Sequence, residues 1–377
     1  MKKIIRITTV PESLGLLKGQ LNFMKSHFEV IGVSSEGKIL KEVEKSEGIR
    51  VIPVNMTRTI TPIKDFTALV QLYFVFKKEK PFIVHSHTPK AGTLAMIASK
   101  FANVPHRFHT IAGMPLLVAK GNKRKLLDFV EKITYKCATK IYPNSNGLKD
   151  IVIKNKYAPE SKVKVIGNGS SNGIDTSYFN PSLYSNEDNE KLRKELNIRT
   201  DDFVFTFVGR LVGDKGVNEI VNAFYNLNKD KAKLLLLGYM EEELDPLNQD
   251  VLDQIKQHPN IMAVGFKNDV RPYYAISDAL TFPSYREGFP NVVMQACSMN
   301  LNCIVSDING CNEIIENGVN GWIVPVKNTE KLKEKMIWCL DNIQFSKTMG
   351  EKSRKKIIES YERKFVWNEI LNEYKKI

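Results

Sequence analysis

Apolar runs rich in Ile and Val alternate with amphipathic stretches through the first 170 residues. The runs predict strands at 4–10, 28–34, 50–54, 82–87, 107–111, 140–144 and 162–166, with helical patterns between them, for example at 65–78 and 125–134. Near-continuous apolar strands are what a sheet needs when helices cover both of its faces. The alternation implies a parallel, doubly wound α/β sheet. It breaks at Gly167-Asn168-Gly169-Ser170-Ser171-Asn172-Gly173, where Gly, Asn and Ser are too dense for regular structure. A polar stretch with Pro181 follows, and the alternation restarts at 203–208, 233–237, 261–264, 279–282, 303–305 and 321–324. Helical patterns fill the remainder, the last at 361–375. The reading is therefore two Rossmann-like domains, 1–170 and 186–355, with a linker at 171–185 and a C-terminal helical segment at 356–377. A chain of 377 residues also exceeds one ordinary core. Two such domains predict a ligand cleft at the carboxyl ends of their strands.

Charge changes this picture in one respect. Residues 1–180 hold 29 Lys/Arg against 13 Asp/Glu, an excess of 16, while the rest of the chain is slightly acidic. A basic half suggests anionic lipid, a pyrophosphate-bearing acceptor or nucleic acid. No nucleic-acid-binding motif accompanies the scattered cations, so nucleic acid is not expected. The segment 116–140 interleaves Lys120, Lys123, Arg124, Lys125, Lys132 and Lys136 with Leu126, Leu127, Phe129, Val130 and Ile133. Such a basic amphipathic helix fits an anionic membrane surface or a core-facing helix with a solvated basic face. The N-terminus is interrupted by Arg6 and reads as a strand, not a signal peptide. No run approaches the ~20 apolar residues of a spanning helix. The expected location is the cytoplasm, including the membrane's cytoplasmic face. Five cysteines without a C-x-x-C pair read as thiols in a reducing compartment.

Candidate chemistry concentrates in two segments. Phe282 to Gln295 reads as a strand, a Gly/Pro turn and the first turns of a helix, with Glu287 at the strand end. Glu287 can accept hydrogen bonds from sugar hydroxyls or stabilise positive charge at an anomeric carbon. The helix start offers unpaired N–H groups and the positive end of a dipole to an anion. Upstream, Arg210 and Lys215 follow a strand within Val208-Gly209-Arg210-Leu211-Val212-Gly213-Asp214-Lys215-Gly216. A bidentate guanidinium and a compact ammonium suit a departing diphosphate. Together the segments suggest a nucleotide-sugar diphosphate. His85 and His87 lie at another strand end, where acceptor contacts are plausible; their H-x-H spacing lacks a third ligand, so no metal is expected.

These motifs resemble the GT4 group of retaining, GT-B-fold glycosyltransferases, most like those that build bacterial capsule and O-antigen (lipopolysaccharide) chains. Gly209-Arg210 with Lys215-Gly216 is similar to the family's phosphate motif. Pro283 to Pro290 is similar to the start of its E-x7-E motif. Ser306 to Ile315, then Asn317 to Gly321, is similar to its D-x-x-G-x-x-E-I-I and N-G-x-x-G pattern. Asn172-Gly173-Ile174-Asp175 with Phe179-Asn180-Pro181 resembles its linker. The resemblance implies donor contacts at Gly15, Gly209, Gly288, Phe289, Pro290, Asn291, Val292 and Gln295. It implies a reaction-centre role for His109 beside Arg210, Lys215 and Glu287. Lys18 follows Gly15 in the loop expected beneath the diphosphate. The second Glu of E-x7-E is replaced by Gln295, an amide that can still reach a ribose hydroxyl without bringing charge. The resemblance further implies no cofactor or metal, and a C-terminal helix that packs back on the N-terminal domain. The expected activity is retaining transfer of a hexose or N-acetylhexosamine from a UDP- or GDP-sugar to an undecaprenyl-pyrophosphate-linked glycan. A nucleotide-sugar epimerase, a glycan phosphorylase and a non-catalytic membrane-binding module are the alternatives.

Overall fold

The structure, a computed structural model, describes residues 1–241 and 245–377. It divides into two units: residues 1–173 with 364–377, and residues 174–363. The crossing at Gly173/Ile174 falls inside the predicted linker. From Ile174 onward the polar stretch packs on the second unit: Ile174 is in its core, and Phe179 lies against that core.

The first unit holds six parallel strands, β1 (Lys3–Ile7), β2 (Glu29–Ser34), β3 (Arg50–Pro53), β4 (Ile83–Ser86), β5 (His106–Ile111) and β6 (Lys140–Pro143). Their order is β3-β2-β1-β4-β5-β6. The second unit repeats the plan with β7 (Phe203–Val208), β8 (Ala232–Leu237), β9 (Ile261–Gly265), β10 (Ala279–Phe282), β11 (Asn302–Ser306) and β12 (Gly321–Val324), ordered β12-β11-β10-β7-β8-β9. All pairings are again parallel. In each sheet the winding reverses between its first and fourth strands. At such a reversal two loops diverge to opposite faces and leave a crevice at the strand ends. That geometry puts the loops after β7 and β10 side by side.

Alternation along β1 shows how both faces of the first sheet are covered. Ile5 and Ile7 join one apolar layer with Leu72 and Phe76, while Ile4 joins the other with Leu14, Leu21 and Phe108. The helix Arg363–Lys375 completes that second layer through Val366, Ile370, Leu371 and Tyr374. The predicted strand at 162–166 is not formed. Only Val163 reaches the sheet, by a single bridge to Ile141, after a short helical turn at Glu160–Lys162. A turn closed by Gly169 N–H on the Ile166 carbonyl (3.0 Å) then draws the chain off the edge. Among the described residues no helix is long and apolar enough to cross a membrane.

Candidate active site

The site in the second unit grows from the β7 and β10 loops. Gly216 sits in left-handed backbone (φ 72°), and a Cβ there would stand 2.2 Å from the Pro283 carbonyl oxygen. Only glycine lets the two loops meet so closely. They are tied further by Tyr285 N–H donating to the Asp214 carbonyl (2.9 Å) and by an Arg286–Asp214 ion pair (2.9 Å). Tyr285 donates its hydroxyl to Glu219 (2.6 Å). Burial, then that carboxylate, raises the phenol pKa and keeps it a neutral donor.

This stitching brings the two sequence-predicted charges together. Lys215 Nζ lies 2.5 Å from Glu287 Oε1, with both side chains about one-fifth exposed at 19% and 18%. Ser284 Oγ donates to the same carboxylate oxygen (3.0 Å). Arg210 pairs with Glu241. Each candidate phosphate-binding cation is thus held by a carboxylate, and a diphosphate would have to exchange with that partner or share the cation with it. Glu241 was not singled out in the sequence; its signal was the acidic run that follows β8.

Beyond Glu287 the chain turns through Gly288, Phe289 and Pro290 into the helix Asn291–Ser298. Phe289 is buried with its ring 5.2 Å from that of Tyr361. Gly310 supports the turn from behind: at φ 75°, a Cβ would stand 2.6 Å from the Gly288 carbonyl oxygen. Pro290 occupies the N-cap and no side chain caps the helix. The N–H groups of Asn291 and Val292 belong to its first turn, which has no intrahelical acceptor for them and can offer them to an anion. Asn291 is exposed, and Gln295 lies half-buried one turn further along. Gly209, at the end of β7, donates its N–H to the Leu237 carbonyl (2.9 Å).

The candidates in the first unit have a different environment. His109 is 3% exposed; its Nδ1 is 2.9 Å from Ser86 Oγ, and its ring fills the space over Gly92. Burial lowers its pKa to about 4, so it is neutral at physiological pH. His85 is engaged at both nitrogens, by Tyr374 and by Thr110 (2.7 Å). His87 Nε2 accepts from Arg6 Nε (2.9 Å), which leaves the proton on Nδ1. Burial, then the Arg6 charge, holds both imidazoles well below the usual histidine pKa. Arg6 itself is 1% exposed and has no carboxylate partner among the described residues; its Nη2 donates to Gln20 (2.5 Å). Sequence reading missed its role, although it is the single charge in the predicted strand at 4–10. Gly15 faces open space where a Cβ would be, and Lys18 is exposed. Among the described residues no group of three or more His, Cys, Asp or Glu could hold a metal ion.

Residues 188–356 match the model for glycosyl transferases group 1, and residues 14–145 match a glycosyl transferase 4-like model. A capsular polysaccharide biosynthesis glycosyltransferase of Staphylococcus aureus is 35% identical, covering 99% of this chain and 97% of the relative. An Escherichia coli UDP-Gal:α-D-GlcNAc-diphosphoundecaprenol α-1,3-galactosyltransferase is 30% identical, covering 81% and 78%. A Rickettsia africae glycosyltransferase superposes with a TM-score of 0.81 at 22% identity, covering 100% of this chain and 98% of that one. The Anabaena protein HepE, crystallised with UDP-glucose, gives 0.82 at 17% identity and full coverage of both. The two doubly wound sheets and these neighbours define the class as a GT-B-type, two-domain α/β enzyme fold. The chain belongs to the group 1, or GT4, family of glycosyltransferases.

Proposed function

We propose that this enzyme moves a hexose or N-acetylhexosamine, with anomeric configuration retained, from a UDP- or GDP-sugar to a lipid-pyrophosphate-linked glycan in bacterial surface polysaccharide synthesis. One observation carries the reading: Lys215 and Glu287, 72 residues apart, meet at the strand-order reversal beside an uncapped helix N-terminus. Ammonium, carboxylate and free N–H groups in one place suit a sugar diphosphate. The names of the Escherichia coli relative and of a 26% identical Campylobacter jejuni relative both specify diphospho-undecaprenol acceptors, which supports the acceptor class. The Staphylococcus aureus relative supports a capsular setting.

In the proposed step the bond from the anomeric carbon to the diphosphate oxygen breaks, and its electron pair leaves with the diphosphate. The acceptor oxygen bonds to the same face of that carbon, and its proton passes to a leaving phosphate oxygen. Lys215 and Arg210 neutralise the departing charge, aided by the N–H groups of Asn291 and Val292. Glu287 and the backbone at Gly288, Phe289 and Pro290 hold the sugar, and Gln295 reaches the ribose. No metal enters this step. His109, buried and neutral, supports the β4–β5 region and does not carry a proton in this scheme.

The test is a thermal-shift panel with UDP, GDP, ADP and CMP, followed by matching nucleotide sugars. A ligand that binds only the folded protein raises the midpoint by mass action. A shift with one nucleoside diphosphate, lost in Arg210→Ala, is the expected result, and the anomeric configuration of the product is then read by NMR. No shift with any nucleotide, or an inverted product, overturns the corresponding part of the reading.

A further inference from the structure

The helix Pro62–Glu79 is apolar on two sides. It buries Ala68, Leu72 and Phe76 against the first sheet. Its outer side carries Ile63, Phe66, Val70 and Phe74, exposed by 85%, 67%, 37% and 63%. Their spacing of three, four and four residues aligns them in one stripe. The neighbouring helix Pro89–Phe101 ends in Phe101, 70% exposed, which shares an apolar groove with Val70, Tyr73 and Phe74. A contiguous patch of this kind marks an interaction surface, not ordinary scatter of apolar residues.

The charge around the patch is predominantly positive, with Glu36 the exposed carboxylate at its edge beside Phe74 and Lys78. Asp65 is engaged by Lys90 (2.5 Å), and the buried Glu79 by Lys3 (2.8 Å) and Arg50 (2.5 Å). Arg58, Lys64, Lys77, Lys78, Lys80 and Lys100 are exposed, and none has a carboxylate partner among the described residues. The helix Gly121–Cys137 packs on the far side of Pro89–Phe101 and continues the layer. It exposes Leu126 and Phe129 among Lys123, Lys125, Lys132 and Lys136.

We infer that this three-helix layer is the surface by which the enzyme lies on an anionic lipid bilayer, with the aromatic stripe of helix Pro62–Glu79 inserted at the headgroup boundary. Aromatic and aliphatic side chains within a lysine rim fit that interface, where apolar insertion and attraction to anionic headgroups act together. A second copy of the chain fits poorly, because a two-fold contact would press the same lysines against each other. The inference deepens the reading of a lipid-linked acceptor and rests on it for purpose, but its test needs no turnover.

The test is co-sedimentation of the full chain with vesicles of phosphatidylcholine alone and with about one-third phosphatidylglycerol. The wild type should bind the mixed vesicles and release them as salt rises. A Phe66→Ser, Phe74→Ser, Phe101→Ser variant should partition at least tenfold less while keeping its melting midpoint and its activity on a short-chain, water-soluble acceptor. A Lys64→Glu, Lys77→Glu, Lys78→Glu variant should lose the preference for phosphatidylglycerol. Equal binding by wild type and the serine variant overturns the proposal, as does absence of wild-type binding to both vesicles. Concentration-dependent dimers abolished by the same serine substitutions also overturn it and assign the face to a second copy. Absence of wild-type activity on the soluble acceptor would strike the proposed function instead.

Discussion

Replacing Lys215 by Met tests whether the ammonium serves the diphosphate or only the fold. Its Nζ sits 2.5 Å from Glu287 with about four-fifths of both side chains covered, which puts the pair at the upper end of the range for partly exposed ion pairs. A hydrogen bond to a charged group contributes about 1.5–3 kcal/mol. Binding must draw the ammonium from Glu287, and exchange of that pair offsets up to about 1 kcal/mol. With that offset taken in full the net loss is about 0.5–2 kcal/mol, or about 2- to 30-fold in the dissociation constant of a nucleoside diphosphate. Isothermal titration calorimetry with the diphosphate and the matching monophosphate reads this directly. The monophosphate should change less than about twofold, because it lacks the group that Lys215 meets. Breaking the pair should also cost about 1 kcal/mol of stability, a fall of about 2–4 °C in the midpoint of a unit of 190 residues, 174–363. A diphosphate affinity within twofold of wild type, in a variant that shows the midpoint change, refutes the assignment. Equal weakening of both nucleotides refutes it too, since the lysine would then act away from the terminal phosphate.

Three further outcomes follow from the same geometry. Gln295→Glu should tighten nucleoside diphosphate binding by about 1 kcal/mol, or fivefold, because a carboxylate makes a stronger hydrogen bond than an amide; a gain that persists with a 2′,3′-dideoxy nucleotide would show that ribose is not its partner. Gly216→Ala, with a Cβ 2.2 Å from the Pro283 carbonyl oxygen, should destabilise by more than about 2 kcal/mol in urea unfolding and abolish the nucleotide thermal shift; a wild-type midpoint would mean the two loops are not held as described. Stability should also fall with acid in the window set by His109: the unfolded imidazole protonates below about pH 6.5 while the native one stays neutral to about 4, so the unfolded chain binds more protons there. From pH 8 to pH 5 that one group accounts for about 2 kcal/mol, His85 and His87 add in the same direction, and His109→Gln should show a shallower drop in melting midpoint; identical slopes for variant and wild type count against the buried neutral ring.

Most strands were legible in the sequence because a strand covered on both faces must be almost continuously apolar, as in β7 and, apart from Lys233, in β8. The failure at 162–166 came from the same cue: Val163 and Ile166 are both buried, but Val163 makes a single bridge and Ile166 lies beneath the sheet without pairing into it. Arg210, Lys215 and Glu287 were legible as residue types after strands. The Lys215–Glu287 contact depends on β7 lying beside β10, and strand order is not written in any local pattern. The histidines' partners were not legible. Their positions at strand ends suggested substrate contacts; that Ser86, Tyr374, Thr110 and Arg6 also hydrogen-bond His109, His85 and His87 inside the unit follows from packing between distant segments. The aromatic stripe was hidden for the opposite reason. Ile63, Phe66 and Phe74 share a helix with Leu72 and Phe76, so the helix reads as uniformly buried until packing shows which side is left out.

The place of residues 364–377 has a consequence for how the chain is made. Trp367 donates to the Asn172 side chain (2.7 Å) and lies over Gly19, and Tyr374 closes the layer around His85. The first unit to leave the ribosome is thus the last that can finish its core. Residues 174–363 must be translated in between, which at about 5–20 residues per second leaves an open apolar face for about 10–40 s. During that interval the nascent chain presents the ledge that Trp367, Ile370 and Leu371 will later cover, which is a defined binding opportunity for a chaperone and a defined hazard without one. The second unit can close independently meanwhile, so the enzyme's birth order and its folding order run in opposite directions.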